Sequence, residues 1–290
     1  MDISEPLKDR LIVYQRNELT EHHIYRRLAQ VARSDEDRQD LERIAEDERK
    51  HYETWRRYTG RDVPPYRLMF WKYYLASRLF GITFSVRLME RNEATAQENY
   101  RRLKGEIPEV DAILKEEHDH EERLVGFFDE EHLRYAGSIV LGLNDALVEM
   151  LGALAGLTLA LQNSSLIALS ALTTGIAAAM SMGASEYLST KTEENSKHPL
   201  KSSFYTGFTY LFIVAILVAP YLLLENYYLS FGITLLLAVT AMGLFNYYMA
   251  VAKDLPFLKR FGEMAGLSLG VAALSFGVGY FLRAVLKVQL

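Results

Sequence analysis

The chain has 290 residues, half of them hydrophobic, a formal net charge of −5 and no cysteine. Without thiols, disulfides, cysteine zinc ribbons and thiolate-held iron–sulfur clusters are excluded. The charge is unevenly distributed: residues 1–136 hold 24 of the 32 Lys and Arg and 29 of the 37 Asp and Glu, which leaves eight of each for residues 137–290. The entire negative balance lies in the first half, which suits cations and argues against a nucleic-acid partner. Met1 to Asn17 is charged and has no apolar core before a small-residue cleavage site, so no signal peptide is expected and the first half is assigned to the cytosol.

From the N-terminus, apolar positions recur at three- and four-residue intervals, with breaks at Gly60 to Pro65 and Gly105 to Pro108. Helices are expected at 6–31, 35–58, 66–103 and 109–134, with Ser34 followed by Asp37 marking one start. Four helices with short joins read as a bundle.

That bundle contains an internal repeat. Glu18, Tyr25 and Glu48-Arg-Lys-His51 are echoed by Glu93, Tyr100 and Glu117-His-Asp-His120. Each Tyr follows its Glu by seven residues, two turns along one face, and the Glu and His of each ExxH pair are i, i+3 neighbours. Eight side chains are thus expected to face inward together. Their carboxylates and imidazoles suit a pair of divalent ions, iron or manganese better than zinc, whose charge would neutralise an otherwise untenable buried Glu cluster. A single ExxH on a charged helix would read as a solvated face; the doubling reverses that reading. His22, His23, His118, His132 and His198 read as ordinary surface residues.

These positions resemble the rubrerythrin branch of the ferritin-like superfamily over residues 6–134. The resemblance implies two iron ions held by Glu18, Glu48, His51, Glu93, Glu117 and His120, with Tyr25 and Tyr100 behind them. Glu90 and Glu121 stand near enough in sequence to supply further ligands. No rubredoxin-like cysteine module accompanies the repeat, which counts against sustained peroxidase turnover. Leu68 to Met89 is aromatic and apolar yet interrupted by Lys72, Arg78 and Arg87; it reads as half-buried against a partner or the membrane surface.

Five long apolar stretches follow, at 137–161, 166–189, 204–224, 229–252 and 264–286. A stretch of ~20 residues at a rise of ~1.5 Å matches a bilayer core of ~30 Å. The connections after the first and third lack Lys and Arg, whereas the other two carry Lys191, Lys197 and Lys201, then Lys253, Lys259 and Arg260. The positive-inside rule places the latter two in the cytosol and the C-terminus outside.

Ionisable residues within such spans are functional candidates by default. Asp145 and Glu149 share one face of the first span at i, i+4, and Met182 and Glu186 share one face of the second, with Glu193 a heptad further. A thioether beside carboxylates suits a path that binds a borderline divalent ion and still releases it. The plainer reading is that Met180 and Met182 fill packing gaps while Glu186 and Glu193 meet water.

Val140-Leu-Gly-Leu-Asn-Asp145-Ala-Leu-Val-Glu149, Gly152-Ala-Leu-Ala-Gly156, Ala179-Met-Ser-Met182-Gly183 and Tyr187-Leu-Ser-Thr-Lys191 together resemble the vacuolar iron transporter family. That resemblance implies a five-span homodimer exchanging protons for Fe²⁺ or Mn²⁺, with Asp145 and Met182 on the ion path. Two departures stand out: Thr174 occupies the place of a glutamate found in plant members, and only Lys191 to Ser203 stands where a long Glu-rich metal-collecting segment would lie.

The expected protein is therefore all-α. A cytosolic ferritin-like four-helix bundle (1–134) precedes a five-helix transmembrane transporter domain (135–290), as in membrane-bound ferritin-type iron exporters of prokaryotic cell membranes. A membrane-anchored di-iron oxidase or peroxide scavenger is the alternative, and a metal-regulated channel a third reading. Asp145 and Glu149 count against a mere anchor, which needs no buried acids.

Overall fold

The computed structural model describes residues 4–32, 34–89, 103, 107–125, 135–192, 198–253 and 255–286. Every regular element among them is helical, and the chain divides into two compact units, Met1–Glu130 and Glu131–Leu290.

The first unit contains α1 (Glu5–Ala29), α2 (Asp35–Thr59), α3 (Arg67–Phe80) and α4 (Val110–Val125), with a further helical segment at 82–89 after α3. Helix α2 begins where the Ser34 hydroxyl accepts from the Asp37 amide at 2.9 Å. It ends at Gly60, whose φ of +64° lets the last carbonyls be capped without the strain a Cβ would bring. Helix α1 packs on α2 and α3, and α4 packs on α2. Leu7, Leu11, Tyr14, Trp55, Ile107, Val110 and Ile113 close an apolar core, each large aliphatic contributing roughly 1.5–3 kcal/mol of burial. The turn after α2 is pinned to α1: Gln15 donates to the Arg61 carbonyl at 2.8 Å, and the Tyr66 amide donates to the Thr20 hydroxyl at 2.9 Å.

The single helix expected at 66–103 is broken at Gly81, which takes φ +94° and lets the chain leave α3 before helix resumes at Ile82. The periodicity on either side is helical, so the apolar pattern alone concealed the break; only the glycine marks it. Glu90, Glu93, Tyr100, His132 and Glu193 lie outside the described residues, as does the Glu121 side chain.

The second unit comprises α5 (Ala136–Leu161), α6 (Ser164–Thr192), α7 (Pro199–Leu223), α8 (Tyr227–Ala252) and α9 (Phe257–Leu286). All five are long and apolar enough to cross a membrane. Helices α7 and α9 start several residues before the apolar stretches expected at 204 and 264, because Pro199 in the first turn of α7 and Pro256 just before α9 set the helix starts while polar flanks hide them from a hydropathy reading. Helix α5 is central: it packs against α6, α7, α8 and α9, and Leu147, Met150, Leu151 and Leu154 are its core-facing residues. The outer faces of α8 and α9 stay apolar, with Leu229, Leu236, Leu244, Leu267 and Leu274 exposed. A soluble protein buries such faces; lipid accepts them.

Close approach in this unit depends on small residues. A Cβ on Gly142 of α5 would collide with the Thr206 carbonyl of α7, whose hydroxyl donates in turn to the Ser138 carbonyl at 3.1 Å. Gly142→Val should therefore lower stability by about 1–3 kcal/mol or more through overpacking, read as a drop in melting temperature in detergent. Gly266→Val, where a Cβ meets nothing within 4 Å, should leave melting unchanged.

A candidate metal centre and an intramembrane acidic track

Helices α1, α2 and α4 each project acidic or imidazole groups to one place. Glu18, Glu48, His51 and Glu117 are all buried, and each offers a ligand atom within 4.8 Å of every other. The i, i+3 spacing of each ExxH pair produces this: Glu48 and His51 leave α2 on one face, and Glu117 and His120 leave α4 on the facing one. His51 Nδ1 sits among three carboxylates, 3.2 Å from Glu117, 3.3 Å from Glu48 and 3.8 Å from Glu18. Its other nitrogen donates to Glu116 at 2.8 Å. His120 Nδ1 lies 3.2 Å from Glu48 and Nε2 lies 3.3 Å from Asp47. The indole of Trp55 donates to Glu18 at 3.0 Å and fixes its orientation.

The electrostatics follow from burial. Loss of water pushes the Glu48 carboxyl up to about 8, with the nearby Glu18 charge adding to the rise and His51 opposing it. Burial likewise raises Glu117 to about 7, reinforced by Glu48. Burial alone would favour neutral His51, but its contacts with Glu116, Glu117, Glu18 and Glu48 win and hold the imidazole protonated well above its ordinary range. For Asp47, burial pulls upward, and the bonds from Lys50 and His120 overcome it, so this carboxylate stays ionised. Glu48, Glu117 and His51 thus all hold their protons more tightly than they would in water.

A divalent cation fits this donor set. Three buried carboxylates and two imidazoles are hard-to-borderline ligands, and His120 Nδ1 is buried 3.2 Å from Glu48 without a hydrogen bond of good geometry among the described residues. Glu18, Glu48, His51 and Glu117, with His120 beside them, are the residues that would hold a cation; it would supply the positive charge that protons provide otherwise.

Of the other residues singled out in the sequence, Tyr25 is fully buried on α1. His22 is a correction: it is buried, and its Nδ1 donates to the Ala45 carbonyl at 2.6 Å. It fell on the inward face of α1, and two consecutive histidines in a polar stretch gave no hint which one turned in. His23, His118 and His198 are exposed. Glu116, Asp47 and Trp55 were missed as neighbours of the cluster. The first two adjoin ExxH glutamates in sequence, but one residue corresponds to ~100° of helix rotation, so adjacency alone did not bring them in.

Within the second unit the four acidic-track candidates are arranged differently. Asp145 is half-buried on α5 and makes no hydrogen bond among the described residues. The neighbouring Asn144 Oδ1 is buried, also without a hydrogen-bond partner among them. Glu149, one turn on, is exposed and accepts from the Tyr210 hydroxyl of α7 at 2.7 Å. Glu186 of α6 is half-buried and accepts from Ser138 of α5 at 2.7 Å, and Met182 is half-buried against the core. No hydrogen bond joins Asp145 to Met182 or Glu186. Tyr210, on the third span, gave no sequence signal, since an aromatic in an apolar stretch reads as packing.

These features define an all-helical integral membrane protein with a buried Glu/His cluster able to hold a metal ion in its N-terminal unit. Residues 136–198, helices α5 and α6 with the segment after them, match the VIT family, which suggests a membrane transporter of iron or manganese. Among curated proteins none matches the chain.

A stability test follows from the shifted carboxyls. With folded values above their ordinary 4.5, Glu48 and Glu117 retain protons that the unfolded chain has released. Raised His51 acts in the same direction, so stability present at low pH falls as pH climbs through the folded values. Metal-free protein should melt at lower temperature at about pH 8 than at about pH 6, and excess Mn²⁺ should remove or reverse that slope. A metal-free melting temperature that rises over this range would contradict the geometry.

Proposed function

We propose that the chain is a divalent-metal exporter that moves Fe²⁺ or Mn²⁺ out of the cytosol in exchange for protons. In this reading the N-terminal unit is a ferritin-like bundle that captures cytosolic metal and has the ligands for iron oxidation. The single observation that carries it is the presence, in one chain with a VIT family match, of a buried Glu18–Glu48–His51–Glu117 cluster. The short join between α6 and α7 supports it as well: with no long acidic segment there, the bundle supplies the metal-collecting carboxylates.

Asp145 is the proposed coupling residue of the path, with Met182 as a soft ligand and Glu149 and Glu186 as flanking acids. A carboxylate inside a span is costly to insert, ~2.5–3.5 kcal/mol, and Asp145 is not compensated by a hydrogen bond among the described residues. A group left this way is available to a proton or a cation. The cytosolic placement of the N-terminal unit rests on the Lys and Arg distribution, and the functional unit is a homodimer. The second reading, a membrane-anchored di-iron oxidase, is favoured by the cluster taken alone and disfavoured by Asp145, Glu149 and Glu186.

In proteoliposomes, Asp145→Ala should abolish Fe²⁺ and Mn²⁺ flux and its pH dependence while leaving metal content of the N-terminal unit intact. Glu48→Ala should lower bundle metal affinity by ~10-fold or more and only partly reduce flux. Full flux in Asp145→Ala would refute the path, and flux independent of a proton gradient would point to a passive channel.

A further inference from the structure

Helix α3 carries an apolar stripe that no other described residue covers. Leu68, Trp71, Leu75 and Leu79 are 87%, 60%, 57% and 66% exposed. Their spacing of three, four and four residues sets them on one face. The opposite face, Tyr73, Ala76 and Ser77, is buried. Polar flanks here are of one sign. Residues 66–89 contain four basic residues, Arg67, Lys72, Arg78 and Arg87, and no acidic one, within a half of the chain that is otherwise acidic. Arg67, Lys72 and Arg78 are exposed.

At the N-terminal end of the stripe lies a cavity of about 570 Å³ lined by His23, Arg26, Arg27, Arg67, Phe70 and Trp71. Among the described residues no carboxylate pairs with Arg26, Arg27 or Arg67; Arg27 is instead oriented by the Gln30 side chain at 2.5 Å and by the Tyr74 hydroxyl at 3.4 Å. Three guanidinium groups beside an indole make a seat for an anion next to an apolar surface.

We infer that α3 is an interfacial helix that docks on anionic phospholipid, its leucines and Trp71 in the acyl boundary and the arginine-lined cavity on a headgroup phosphate. Basic residues flanking an exposed Leu/Trp face are the pattern of helices that lie in the membrane surface, and anionic lipid is the charge complement of this face. A second copy of the chain is a poorer occupant, because two such faces brought together oppose Arg67, Lys72 and Arg78 to one another. Lipid is also always present: the same chain enters the bilayer from Ala136 on, so the surface is offered at high effective concentration.

The absence of native cysteine makes the test direct. The full chain carrying a nitroxide at Leu75→Cys or Leu79→Cys is placed in nanodiscs of phosphatidylcholine with or without phosphatidylglycerol. Accessibility to oxygen is compared with that to a water-soluble nickel chelate. Oxygen should be favoured at both positions when phosphatidylglycerol is present, and the chelate at the exposed control Glu42→Cys. The triple variant Arg67→Gln/Lys72→Gln/Arg78→Gln should lose the dependence on phosphatidylglycerol with unchanged melting. On the unlabelled chain, brominated phosphatidylglycerol should quench exposed Trp71 and spare buried Trp55. Water-like labels and no quenching in both lipids would overturn the inference. So would label–label broadening indifferent to lipid, which would assign the face to a second copy, or protection by inorganic phosphate in phosphatidylcholine discs, which would assign the cavity to a free anion.

Discussion

The N-terminal unit is built around a repulsion. Glu18, Glu48 and Glu117 point their carboxyls at one another in a space closed to water, an arrangement that two or three negative charges cannot share unaided. His51 answers part of the demand by placing one nitrogen among the three, and Trp55 and Glu116 hold the participants in register. The rest of the balance is met by protons or by a dication. A core of leucines would hold these helices together with less conflict; a group of buried acids and imidazoles is instead one that could hold a metal ion. The neighbouring apolar cluster around Leu11, Tyr14 and Trp55 supplies the stability against which the acidic centre draws.

The membrane unit handles acids in another way. Glu149 and Glu186 are each bonded by a hydroxyl from an adjacent helix, Tyr210 and Ser138, so each is compensated across a helix–helix contact rather than by an opposite charge. Such contacts require short interaxial distances, which the glycines provide: Gly142 faces the backbone of α7, and Gly156 and Gly279 face each other across α5 and α9. Small residues and intramembrane acids are therefore parts of one arrangement. Asp145 stands outside that compensation, and this separates it from its neighbours more clearly than its sequence context does.

Much of this was legible in the residues because helical periodicity is a strong signal. The ExxH spacing puts Glu48 and His51 on one face of α2 and Glu117 and His120 on one face of α4, since residues three apart are neighbours on an α-helix. The five apolar stretches were equally plain, though the beginnings of α7 and α9 were not, because a polar first turn does not register as apolar. What escaped was anything that turns on rotation or on a partner from another helix: Glu116, Asp47, Trp55, Tyr210 and the inward turn of His22. Gly81 shows a related blind spot, for the apolar pattern runs through it undisturbed while the backbone does not.

Charge segregation connects these observations. Acidic residues concentrate in the first half, where α1, α2 and α4 carry the cluster and its flanks, whereas the charged residues of 66–89 are all basic, three of them on α3 with its apolar outer face. If charge served solubility alone, both signs would be interspersed over every surface. Along α2 the signs are interspersed, in pairs such as Arg49–Glu46 and Lys50–Asp47, whereas the charged residues that flank the exposed apolar stripe of α3 are all positive. A surface potential that draws divalent cations would also be drawn upon by anionic lipid headgroups, which compete for the same ions. Placing guanidinium groups against those headgroups, and carboxylates elsewhere, keeps the two attractions from working against each other.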